Sequence, residues 1–148
     1  MRVLCCNVRY SGAPDGMNAW PHRKALCAEV IRSRAPDIIG FQELSREQYL
    51  YLRDALPEHE AYGMVDRPEG QSPQNAIFWL RDRYTAVSLG GYWLSETPHI
   101  SGSKSWDSNN IRQAVWARLA VNGSGIEFRV VGTHLDHRGQ VDARLPQR

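Results

Sequence analysis

Apolar residues recur along this chain in two alternating registers, short continuous runs and helical-period stripes, and their order predicts an α/β protein. Val3 to Cys6 forms a short apolar run that stops at Asn7 and is followed by a Gly/Pro/Asp/Asn-rich loop from Ser11 to Asn18. Pro21 suits a first helical turn, and Trp20, Cys27, Val30 and Ile31 put one apolar side on that helix, which stops before Pro36. Ile38 to Gln42 is a second apolar run, with Glu43 at its carboxyl end. Strand, crossover helix and strand make a βαβ unit, so the two strands are expected to be parallel.

Ser45-Arg46-Glu47-Gln48 has the form of a capping box and opens a second helix with Tyr49, Leu52 and Leu56 inward, ended by Pro57. Beyond Ala61 the pattern becomes strand-rich. Asn75 to Leu80 and Tyr84 to Leu94 flank Arg81-Asp82-Arg83 and read as a hairpin. Gln113 to Val121 and Ile126 to Thr133 flank Asn122-Gly123-Ser124-Gly125 and read as another. Between the two lies a polar loop, Ser95 to Asn110, long enough to suspect a function.

Composition narrows the class without naming a function. The 148 residues, 42% hydrophobic and 23% charged, suit one globular domain rather than a disordered or fibrous chain. The net charge of +2 neither requires nor excludes nucleic acid. Lys24 and Lys104 are the only lysines, so the positive charge is nearly all arginine, which suits bidentate phosphate contacts; codon bias produces the same skew. No apolar stretch is long enough to span a bilayer, and no cleavable leader is evident, so a cytoplasmic protein is expected. Cys5, Cys6 and Cys27 are expected to be reduced, buried thiols, and His22, His59 and His99 to face solvent.

Three polar residues stand at the ends of apolar runs, where an α/β sheet places its chemistry. Glu43 is a hard carboxylate of the kind that Mg²⁺ or Mn²⁺ prefers. Asn7 either offers a carbonyl to the metal or orients Glu43, and His134 can donate to a phosphoryl oxygen as charge builds there.

Asn7, Pro36-Asp37-Ile38-Ile39-Gly40-Phe41-Gln42-Glu43, Asn75-Ala76-Ile77-Phe78-Trp79 and Thr133-His134-Leu135-Asp136-His137 occur in the order and spacing of one family. In them the chain resembles the endonuclease/exonuclease/phosphatase superfamily, with its deoxyribonuclease-I-like fold. Trp93 to Pro98, Gly102 to Asp107 and Arg112 resemble its small bacterial branch related to deadenylase-type nucleases. The resemblance implies a four-layer α/β sandwich, with residues 1–148 as the N-terminal portion of a single domain and one half of the sandwich missing. It implies metal-assisted phosphoester hydrolysis with Mg²⁺ or Mn²⁺ at Glu43 and Asn7, and with His134 at the scissile phosphate. Arg112 would be a phosphate contact, and Asn75 would lie at the substrate.

The family's Gly-Asp-x-Asn motif and closing Asp-His pair are absent, and Pro73 stands where many members carry a glutamate. A weakly active or inactive chain, self-associating through an open half-sandwich, is therefore expected. Trp106, in the polar loop, is the candidate for stacking a base of single-stranded nucleic acid or a nucleotide. Two other readings remain: a non-catalytic fragment or phosphate/nucleotide-binding module, and a metallo-β-lactamase-like zinc hydrolase, whose motif needs one more His and wider spacing.

Overall fold

A computed structural model describes residues 1–65 and 72–136. Strand β1 (Val3–Asn7), helix α1 (Trp20–Arg34), strand β2 (Ile38–Leu44) and helix α2 (Arg46–Ala55) follow one another, and β1 and β2 are parallel, as the βαβ pattern requires. Pro21 sits in the first turn of α1, and Ala35 (φ 42°) ends it in the left-handed region. Gln48 closes the start of α2 by accepting the Ser45 N–H at 3.0 Å. The later strands are β3 (His59–Gly63), β4 (Gln74–Leu80), β5 (Tyr84–Trp93), β6 (Gln113–Val121) and β7 (Glu127–Thr133).

The strands form two sheets, ordered β1-β2-β4-β3 and β5-β6-β7. On one face of the first sheet, Ile39, Phe41, Ala76 and Phe78 pack against Trp20 and Ile31 of α1 and Leu52 of α2. On its other face, Ile38, Ile77 and Trp79 pack against Tyr84, Val115, Ala117 and Leu119 of the second sheet. The continuous apolar character of β2 and β4 follows, because both of their faces are covered. Among the described residues the helices, the first sheet and the second sheet make three layers, and no helix covers the outer face of the second sheet. There Trp116 lies across β5, where a Cβ on Gly90 would stand 2.5 Å from its ring. Strands β1, β3, β5 and β7 each pair on one side only among the described residues.

The structure corrects several expectations. Strands β4 and β5 do not form a hairpin: Leu80 N donates to Asp37 O at 2.9 Å, and after Arg83 the chain leaves for the second sheet to pair with β6. Strand β3, unmarked in the sequence, takes the antiparallel place beside β4. Val30 is exposed, and the helix face is completed by Ala28. Cys5 is exposed while Cys6 and Cys27 are half-buried; all three are free thiols. His59 is buried, with its Nε2 3.0 Å from Pro36 O, while His22 and His99 are exposed as expected. The hairpin of β6 and β7 forms, with Gly123 and Gly125 at positive φ in its turn. Among the described residues no helix is long and apolar enough to cross a membrane.

Candidate active site

The cleft lies where the ends of β1, β2 and β7 meet the polar loop. Asn7 pairs with Gln42 in the parallel register, which puts the next residue, Glu43, beside the Asn7 side chain. Glu43 falls at a bulge between Gln42 and Leu44 and has φ 58°. The left-handed region is costly for a glutamate, on the order of 1–3 kcal/mol, and such strain persists where surrounding contacts over-determine it. Those contacts are present: Asn7 Nδ2 donates to Glu43 Oε1 at 2.9 Å, and the Tyr10 N–H donates to Oε2 at 3.3 Å. Burial disfavours the Glu43 carboxylate, but these two bonds and the charges of His134 and Arg9 outweigh it and hold its pKa below the usual range.

The segment after β1 is equally fixed. Asn7 Oδ1 accepts the Arg9 N–H at 2.9 Å, and the Arg9 carbonyl accepts from Gln48 at 2.8 Å and Arg23 at 2.9 Å. The Arg9 guanidinium is paired with Asp15 at 3.2 Å.

From the other sheet come His134, one residue past β7, and Arg112, one residue before β6. With Arg9, Tyr10, Glu43 and Asn110 they line a cleft of about 560 Å³. Burial lowers the pKa of the Arg112 guanidinium, against the carboxylates of Asp136 and Glu43, which raise it. Its Nε is buried without a hydrogen-bond partner among the described residues. Arg112 lines the cleft together with an ionised carboxylate, and a guanidinium there is suited to an anion that brings its own oxygen acceptors.

Of the candidates singled out in the sequence, Glu43, His134 and Arg112 share this cleft, and Asn7 touches Glu43 from outside its lining. Asn75 does not line it: the side chain is buried, and Nδ2 donates to Gln113 O at 3.1 Å, tying β4 to β6. Trp106 lies in a separate hollow of the polar loop with Lys104 and Asp107. His137 lies outside the described residues. His134 faces the cleft while Asp136 is buried and accepts from Ser108 and Asn110, and no group of three metal-capable side chains occurs among the described residues. The zinc-hydrolase geometry is therefore not formed by them.

Sequence reasoning passed over Tyr10 and Gln113. Gln113, buried at the start of β6, donates to Pro73 O at 2.7 Å and Met64 O at 3.0 Å, and its carbonyl accepts from Thr133 at 3.0 Å. Its one signal was a polar residue opening an apolar strand. The serines of the polar loop bond to each other and to its backbone, with Ser95 Oγ 2.6 Å from Ser103 Oγ and the Glu96 N–H on Ser105 Oγ at 3.0 Å.

No protein-family model matches the chain. Over 144 residues it is 32% identical to Nocturnin of Drosophila melanogaster, covering 89% of this chain and 21% of that protein. The endonuclease/exonuclease/phosphatase of Bacteroides vulgatus superposes with a TM-score of 0.86 at 33% identity, over 96% of this chain and 54% of that one. The mannosyl-6-phosphatase of Bacteroides thetaiotaomicron gives 0.85 at 32% identity, again over 96% and 54%. The chain thus spans about half the length of these solved relatives and about a fifth of the Drosophila protein.

Proposed function

The chain belongs to the endonuclease/exonuclease/phosphatase family, and on that premise we propose that the protein is a divalent-metal-dependent phosphoester hydrolase. The observation that carries the reading is the meeting of an ionised Glu43, His134 and the half-buried Arg112 in one cleft. Glu43 suits Mg²⁺ or Mn²⁺ because it is a fixed, ionised oxygen donor in an open cleft. A single carboxylate fits a cation that keeps most of its waters, and does not fit a cage built wholly of protein. Asn7 has both ends of its amide engaged, with Glu43 and with the Arg9 N–H, so it serves as the group that orients Glu43.

A bound divalent cation supplies charge neutralisation at the phosphoryl group and a more acidic water. The chain's own groups do the positioning. Arg112 presents N–H donors to the phosphoryl oxygens. His134 donates to the oxygen on which negative charge accumulates. Tyr10 and Asn7 keep the Glu43 carboxylate aimed across the cleft.

The near-neutral charge and the likeness to a mannosyl-6-phosphatase favour a small phosphate ester over a duplex that needs many backbone contacts. A second reading, phosphate binding without turnover, is favoured by one observation: among the described residues Glu43 is the only carboxylate lining the cleft. Calorimetry with Mg²⁺ and turnover of p-nitrophenyl phosphate distinguish the two. Glu43→Gln should weaken Mg²⁺ binding at least about tenfold and abolish turnover. Phosphate binding with no turnover in the wild type selects the second reading, and Mg²⁺ affinity untouched by Glu43→Gln sinks the metal assignment.

A further inference from the structure

We propose that Asp136 is a positioning residue whose buried carboxylate clamps the polar loop that leads into Arg112 onto the strand end that carries His134. The inference rests on the reading of Arg112 as the phosphate-binding group and adds the part that holds it in place.

Asp136 is 3% exposed and follows His134 by two residues. Its Oδ2 accepts from the Ser108 hydroxyl and from the Asn110 N–H, the latter at 3.0 Å. Ser108 is itself buried. Immediately before it, Trp106 (φ 57°) and Asp107 (φ 53°) are two successive non-glycine residues in the left-handed region. A turn of that kind does not hold itself; it needs contacts that over-determine it. The bonds to Asp136 fall on the first and third residues after the strained pair, and Arg112 stands two residues beyond Asn110. One carboxylate therefore fixes the turn, the Asn110 and Arg112 side of the cleft, and the spacing of both from His134. Its charge, like that of Glu43, also favours the charged form of the Arg112 guanidinium.

Removing a carboxylate that serves only general stability would lower stability without acting through Arg112. A double-mutant cycle separates the two roles. Calorimetric titration of the full chain with inorganic phosphate in saturating Mg²⁺ is the readout. Arg112→Ala and Asp136→Ala should each weaken phosphate about tenfold, the size of one charge-assisted hydrogen bond. Combined, they should lie within about twofold of Arg112→Ala alone, because the two residues act as one. Asp136→Asn keeps an oxygen for the Asn110 N–H and should recover affinity to within about threefold of the wild type.

Additive losses, or an Asp136→Ala affinity equal to wild type, overturn the inference while leaving the Arg112 assignment intact. An Arg112→Ala protein that binds phosphate as well as wild type overturns both. Should Asp136→Ala fail to fold by circular dichroism, Ser108→Ala replaces it in the cycle, with coupling supporting the clamp and additivity refuting it.

Discussion

Asp37→Asn tests the joint at which the chain passes from one sheet to the other. The Asp37 side chain is 8% exposed; it accepts the Arg2 N–H through Oδ2 and the Arg83 guanidinium through Oδ1. A hydrogen bond to a charged group contributes about 1.5–3 kcal/mol. The Arg83 side chain is 51% exposed, so its share must be discounted for solvent screening. Asn keeps an oxygen for Arg2 but removes the charge that holds Arg83. The expected loss is about 2 kcal/mol, or a fall in Tm of about 6 °C for a domain of this size.

The sign with pH follows from the same contacts. Burial raises the Asp37 pKa, but the Arg2 N–H and Arg83 outweigh it, so the folded value lies below the unfolded one. The stabilisation is therefore complete above the unfolded carboxylate value of about 3.9 and is lost as pH falls through the folded value. Urea unfolding followed by circular dichroism should show the full gap between wild type and Asp37→Asn at about pH 7, narrowing below about pH 4. A gap under about 0.5 kcal/mol at neutrality, within the range of an indifferent surface change, would refute the reasoning. So would a gap that stays constant into acid.

Phe78 is fully buried, edge-on to Phe41 at 5.0 Å and to Tyr49 at 5.8 Å, so Phe78→Ala should cost about 3–5 kcal/mol in urea unfolding. A loss under about 1 kcal/mol would mean that the helix-side core collapses around the gap. Burial pushes the Cys6 thiol up to about 11, whereas Cys5 on the opposite face is exposed. Iodoacetamide at about pH 8 should label Cys5 at least about tenfold faster than Cys6, with Cys6 gaining as pH rises; equal rates by peptide mapping would contradict this.

The βαβ start was legible because its apolar runs, its proline and its helical stripe all agree, and the structure follows them. The β4–β5 connection was not. Both runs are apolar and separated by a polar triplet, which is also what a hairpin looks like. The difference was present in the pattern, continuous in β4 and alternating in β5, but sheet membership is decided by distant partners such as Asp37. Glu43 was found from its place after an apolar run, yet nothing in a glutamate announces a left-handed backbone. Asn75 and His59 show the converse limit. A polar residue near a motif or in a polar stretch reads as surface chemistry, while here Gln113 O and Pro36 O engage them inside the protein. Arg112 was reached through the family resemblance; that its Nε is buried without a partner among the described residues required coordinates.

All four strands of the first sheet come from the chain before residue 81, and all three of the second come after it. Asn7 and Glu43 thus belong to one polypeptide half, Arg112 and His134 to the other, and no strand ladder bridges the halves among the described residues. The Glu43 carboxylate, its bulge and its Asn7 partner are thus all supplied by the segment that precedes Arg112 and His134. The two halves meet where the second sheet seats on Ile77 and Trp79, so a substitution in that apolar seam would shift Arg112 and His134 relative to the acid without touching any of the three.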